Sequence, residues 1–162
     1  MFVGRKKELD ALNSRYKSNR KEFGVLYGRR RIGKSSILNE FLKDKKGILF
    51  QAKQDNSYGN LKSFSYEVDH LLNLPDTFVF ASWQHAFKSI QEYAKNERFV
   101  LVIDEYPYIV SQDSSFSSVL QEFIDHASDN MMVILSGSDI GFLQKEIQNH
   151  ASPLYKRRTF EM

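Results

Sequence analysis

The apolar positions of the chain fall into short unbroken runs separated by longer stretches of helical spacing. The runs are Phe23 to Tyr27, Gly47 to Ala52, Phe99 to Ile103 and Met131 to Leu135. Each is the length of a strand, and none alternates with polar residues. That pattern fits strands covered on both faces rather than one side of an exposed sheet. Between them, Leu9 and Leu12 mark a helix from about Lys6 to Tyr16, and Ile37, Leu38, Phe41 and Leu42 mark one beginning near Lys34. Asn60 is read as the cap of a helix with Leu61, Phe64, Val68, Leu71 and Leu72 on its apolar face. Ser82 is read as the cap of the next, with Trp83, Ala86, Phe87, Ile90, Tyr93 and Ala94 inward. Phe116, Val119, Leu120, Phe123, Ile124 and Ala127 predict a further helix, and GFLQKEI another after the fourth run. Strand and helix alternate, which predicts an α/β fold with a parallel sheet wrapped on both sides. Thr159 to Met162 reads as the opening of a fifth strand.

Composition narrows the class without changing this picture. The 162 residues suit one domain, with 41% hydrophobic and 27% charged residues. The apolar runs are too short to cross a bilayer, so no membrane partner is expected, and the N-terminus lacks a secretory core, making the cytoplasm the default location. Cysteine is absent, which excludes disulfides, zinc–thiolate sites and cysteine nucleophiles. A net charge of +3 is weak support for nucleic-acid binding, because it comes from clusters such as Arg29 to Arg31 and Lys156 to Arg158. His70, His85, His126 and His150 show no ligand spacing and read as structural or surface residues.

The chemistry concentrates in three places. Gly28-Arg29-Arg30-Arg31-Ile32-Gly33-Lys34-Ser35 matches G-x-x-x-x-G-K-[ST], with a strand run before it and a helix starting near Lys34, whose Ser36 is a further candidate for nucleotide binding. Its glycines permit a tight turn whose N–H groups surround a phosphate at a helix N-terminus. Lys34 is then the residue for the β- and γ-phosphates and Ser35 a magnesium ligand, while the three arginines raise the local positive potential. Second, the run Phe99 to Ile103 ends in Asp104-Glu105, at the strand end where ligands gather in such sheets. Asp104 is expected to hold magnesium and Glu105 to orient or deprotonate water. Third, Ser136 and Ser138 follow the fourth run, where Ser136 is a candidate to sense the γ-phosphate. Arg157 and Arg158 are candidate arginine fingers, in the same molecule or in a neighbour through self-association.

Together with Phe2-Val3-Gly4-Arg5 and Glu8-Leu9, these segments (YGRRRIGKSSIL, FASWQHAF, FVLVIDEYPY, ILSGSDIGF and SPLYKRRT) resemble the archaeal-type ATPases, within the AAA+ and STAND branch of P-loop proteins. The resemblance implies a three-layer P-loop NTPase sandwich with strand order 5-1-4-3-2, four strands complete and the fifth at most begun. It implies ATP with Mg2+ rather than GTP, and places Val3, Gly4 and Arg5 beside the adenine. It further implies a core lacking a helical lid and a C-terminal winged-helix domain, with DNA contact, where it occurs, made by those missing parts. Two positions depart from the family pattern: Gly141 stands where a serine is usual, and Lys156 where a glycine is. An ATPase is the leading reading; a nucleotide switch with negligible turnover and a nucleic-acid module are the alternatives.

Overall fold

The structure is a computed structural model and describes residues 5–27, 33–75 and 78–162. Its centre is a parallel sheet of β1 (Glu22–Tyr27), β2 (Gly47–Gln51), β3 (Phe99–Asp104), β4 (Met131–Gly137) and β5 (Phe160–Glu161), ordered β2-β3-β4-β1-β5. This is the expected order, and the fifth strand is indeed only a two-residue beginning. Every residue of β3 and β4 is buried, which explains runs with no alternation.

Parity along those strands nevertheless divides the core into two. Phe99, Leu101, Ile103, Met131, Val133 and Leu135 face one cluster, while Val100, Val102, Met132 and Ile134 face the other. The first cluster is covered by α3 (Ser57–Leu72), α4 (Trp83–Tyr93), α5 (Pro107–Gln112), α6 (Phe116–His126) and α7 (Ile140–Gln148). The second is covered by α1 (Lys6–Tyr16) and α2 (Lys34–Leu42), through Leu12, Ile37, Leu38 and Phe41. The larger face is rich in aromatics; Phe87 stacks on Phe123 with centroids 4.6 Å apart, and Trp83 meets Phe116 edge-on at 4.9 Å.

One helix start differs from the sequence reading. Asn56, not Asn60, caps α3, its side chain accepting from the Gly59 N–H at 2.7 Å. Asn60 lies inside the helix, buried, and grips the Lys53 backbone: Oδ1 accepts from Lys53 N–H and Nδ2 donates to Lys53 O, each at 3.0 Å. The apolar face that follows Asn60 is as expected, but a helix can begin a turn before its first buried residue. The short helix α5 had no periodic signal, because six residues are too few to show one.

Strand register sets the functional end of the sheet. Asp104 lies beside Ser136 on one side and Gln51 on the other, and Tyr27 lies beside Gly137. The C-terminal ends of the central strands therefore bring the separate polar segments together before any side chain is considered.

Candidate functional site

At that end α2 begins at Gly33, whose φ of 81° is left-handed and accessible to glycine with little strain. Among the described residues no side chain caps α2, and the amide groups of its first turn and the positive end of its dipole lie at this end of the sheet. Lys34, the first residue of the helix, is 4% exposed. Its Nζ lies 3.0 Å from Asp104 Oδ1 and 3.3 Å from Glu105 Oε1.

Two neighbouring acids can meet one ammonium only if the chain departs from the strand geometry. In an extended strand Asp104 and Glu105 would point to opposite faces. Glu105 instead takes φ 56°, a left-handed conformation costing on the order of 1–3 kcal/mol for a side-chain-bearing residue. That turn swings its carboxylate to the same side as Asp104. Further bonds hold the arrangement: Asp104 Oδ1 accepts from the Glu105 N–H at 2.9 Å and from Ser136 Oγ at 2.8 Å. Ser138 Oγ donates to Glu105 Oε2 at 3.3 Å, and the Tyr106 N–H donates to the Ser136 carbonyl at 3.3 Å.

The cluster opens into a cleft of about 470 Å³, lined by Lys34, Ser35, Asp104 and Glu105 and, across from them, by Lys53, Gln54 and Tyr108. Ser35 is exposed to the cleft, and Ser36 is also exposed but does not line it. Beside it a smaller hollow of about 120 Å³ is bounded by Arg5, Glu8, Leu26, Tyr27, Lys34 and Ile37. Arg5 pairs with Glu8 at 3.6 Å, and a Cβ added to Gly33 would stand 3.7 Å from its guanidinium.

The structure thus gathers Gly33, Lys34, Ser35, Asp104, Glu105 and Arg5 around adjoining cavities. Val3, Gly4, Gly28, Arg29, Arg30, Arg31 and Ile32 lie outside the described residues. Ser136 is fully buried and turned to Asp104, so it touches the acid pair rather than the open cleft. Arg157 and Arg158 are not brought to the cleft. Arg157 forks Asp125 with two bonds of 3.1 Å, at the C-terminal end of α6 and the opposite end of the sheet. That fork holds the Asp125 carboxyl below its usual range, hydrogen bonding to Arg157 being the main cause. Arg158 lies 3.7 Å from Glu161. Sequence reading missed Lys53, Gln54 and Tyr108, which carry no motif; the pairing of β2 beside β3 brings Lys53 and Gln54 to the acids, and the turn into α5 brings Tyr108.

A family model described as an ATPase domain predominantly from Archaea matches residues 2–162. An uncharacterized protein of Methanocaldococcus jannaschii is 29% identical over 161 residues, covering 98% of this chain and 34% of its own length. A Walker-type ATPase of Pyrococcus abyssi is similar in structure, with TM-score 0.77 and 22% identity over 99% of this chain and 53% of that one. The ORC1 protein of Aeropyrum pernix, solved in complex with DNA, gives TM-score 0.71 and 14% identity over 98% and 44% of the two chains. At such identities the structural likeness shows a shared P-loop fold. The chain spans about a third of the curated relative and about half of each of these solved chains.

Proposed function

The chain belongs to the family of ATPase domains found predominantly in Archaea, and on that premise we propose that it binds ATP with Mg2+ and hydrolyses it. The observation that carries this reading is the Lys34 ammonium held between Asp104 and Glu105 at the mouth of a cleft that also receives the N-terminus of α2. A polyphosphate entering there meets uncapped helix amides and the Lys34 charge. Lys34 then exchanges its carboxylate partners for the β- and γ-phosphates, which frees both acids.

The donor set suits magnesium. The Ser35 hydroxyl and the Asp104 carboxylate are hard oxygen ligands in one cleft, and Mg2+ takes few protein oxygens when phosphate and water complete its shell. When bound, the ion neutralises charge on the phosphate oxygens. Glu105 accepts a proton from the water that attacks the γ-phosphorus as the bond to the ADP oxygen breaks. Ser136 fixes the Asp104 carboxylate, and so acts one residue removed from the nucleotide. Arg5, with Glu8, Tyr27 and Ile37, bounds the hollow assigned to the adenine. Arg157 and Arg158 lie away from this cleft, so their contact with nucleotide is assigned to a neighbouring copy.

For the longer protein we propose a domain working beside further ones, with contact to DNA made by parts outside these residues. The fold likeness to the ORC1 protein motivates that reading. Its mark is DNA affinity that falls steeply with salt and is absent from this domain alone.

Calorimetric titration with ATP–Mg2+ and GTP–Mg2+, with turnover followed in the same samples, tests the main reading. Saturable ATP binding that Lys34→Ala removes, with turnover that Glu105→Gln removes, is the expected result. A folded protein that takes up neither nucleotide overturns it, and binding without turnover leaves a switch.

A further inference from the structure

The residue after the acid pair carries more chemistry than its packing needs. Tyr106 is fully buried, yet its hydroxyl lies 2.6 Å from Ser117 Oγ on α6 and 3.3 Å from Glu146 Oε2 on α7. Ser117 Oγ in turn donates to the same Glu146 oxygen at 3.0 Å. The Tyr106 ring already packs against Phe116 and Phe142, a task phenylalanine would serve as well. A buried hydroxyl is costly without a partner, and the half-buried Glu146 carboxylate supplies one to both Tyr106 and Ser117. These contacts join three elements.

Those elements converge on the acid turn. α7 is the continuation of β4, whose end supplies Ser136 to Asp104 and Ser138 to Glu105. The packing between them leaves no slack. A Cβ on Gly137 would meet Leu143 Cδ1 and Pro107 Cδ at 3.3 Å and Glu105 Cα at 3.9 Å. The turn is itself strained at Glu105, so something beyond local preference must hold it.

We propose that Tyr106 is a positioning residue for hydrolysis, its hydroxyl latched to Ser117 and Glu146 so that α6 and α7 hold the left-handed turn presenting Glu105. The inference rests on the reading of Glu105 as the acid that handles water. A displaced turn leaves the phosphate site formed by Lys34 and Ser35 unchanged but misplaces the carboxylate, so turnover suffers while binding does not.

The test compares Tyr106→Phe, Glu146→Gln and Glu146→Leu by calorimetry with ATP–Mg2+ and by turnover. Tyr106→Phe should bind ATP within about twofold of the parent while turnover falls roughly tenfold, since small misplacements of a catalytic group are expensive. Glu146→Gln keeps an acceptor oxygen and should retain most of the turnover. Glu146→Leu should match Tyr106→Phe, and the double variant should be no worse than either single one, as for members of one network. Unchanged turnover in Tyr106→Phe overturns the proposal, as does a loss that merely tracks melting temperature and affinity together. Should the parent bind ATP without turning it over, the hydrolysis reading fails on its own, and hydrogen exchange then judges the latch. Tyr106→Phe and Glu146→Leu must then speed exchange at the Tyr106 amide and along α7; unaltered protection there sinks the latch too.

Discussion

The two ends of the sheet both carry buried charge, and they use it differently. At the C-terminal end Lys34, Asp104 and Glu105 are bound mainly to one another and to the hydroxyls of Ser136 and Ser138, beside an open cleft. At the N-terminal end Arg98 donates to the backbone carbonyls of Arg15, Arg20 and Asp129. There Glu22, 2% exposed, accepts from Thr159 Oγ1 at 2.5 Å and lies 3.6 Å from Arg15. Backbone carbonyls cannot move away without unfolding, so the Arg98 network ties α1, β1 and the approach to β4 into one frame. Side-chain partners can be exchanged for a ligand's oxygens. Charge saturated by the main chain is therefore a fastening, and charge held by side chains at a cavity is available for chemistry.

If that division is right, variants at the N-terminal end should lower stability while leaving nucleotide affinity per folded molecule unchanged. Arg98→Ala has the largest expected effect, about 3 kcal/mol in a denaturant titration, because it removes charged hydrogen bonds to three main-chain carbonyls at once. A loss of ATP affinity in the folded Arg98→Ala protein would break the comparison. The converse case is Ser136→Ala, which removes one charge-assisted hydrogen bond to Asp104, worth about 1.5–3 kcal/mol. Its effect should appear in turnover, as a loss of about tenfold or more, with a smaller change in melting temperature. A variant that melts early but turns over normally would place Ser136 with the fastenings.

Lys156 sharpens the comparison from the N-terminal side. It stands at φ 63° in the loop leading to β5, a left-handed conformation that favours glycine. Lys156→Gly should stabilise by about 0.5–1 kcal/mol, the relieved strain exceeding the added freedom of the unfolded chain. No change in turnover should accompany it. An unaltered denaturation midpoint would mean that the Lys156 ammonium over the Tyr155 ring, 5.4 Å from its centroid, offsets the strain.

The smallest effect concerns Tyr27, whose hydroxyl donates to Glu161 at 2.9 Å and links β1 to β5. Burial, then that bond to a carboxylate, pushes its phenol up to about 12. Between the ordinary value of about 10 and 12 the folded chain holds a proton that the unfolded chain has lost. Stability from this group is thus fully present below pH of about 10 and declines as pH rises through that window. Melting across it should show the decline in the parent and a shallower one in Tyr27→Phe; parallel curves would mean that the bond contributes nothing.

Much of this arrangement could be read along the chain, and the parts that could not share a cause. The strand runs, the helix faces and the G-x-x-x-x-G-K-S segment depend on residues close together in sequence, whose spacing alone dictates period and turn. So does the placement of Asp104-Glu105 at a strand end. What lies beyond local spacing is partner choice. Nothing near Ser136 announces that it would face Asp104 rather than open space; register between β3 and β4 decides that. Asn60 looked like a cap because it precedes an apolar face, yet contact with the Lys53 backbone on the neighbouring segment buries it inside α3. Arg157 is a candidate finger from the sequence, and within its own chain it is the end of α6 that supplies its partner, Asp125. By itself, then, the sequence determined the elements long enough to show a period, their order of polarity and the residue types at the proposed phosphate site. Only the tertiary structure decided which hydroxyl meets which acid and which arginine stays away, because hydrogen bonds and ion pairs act over about 3 Å and that proximity is set by strand order and helix packing.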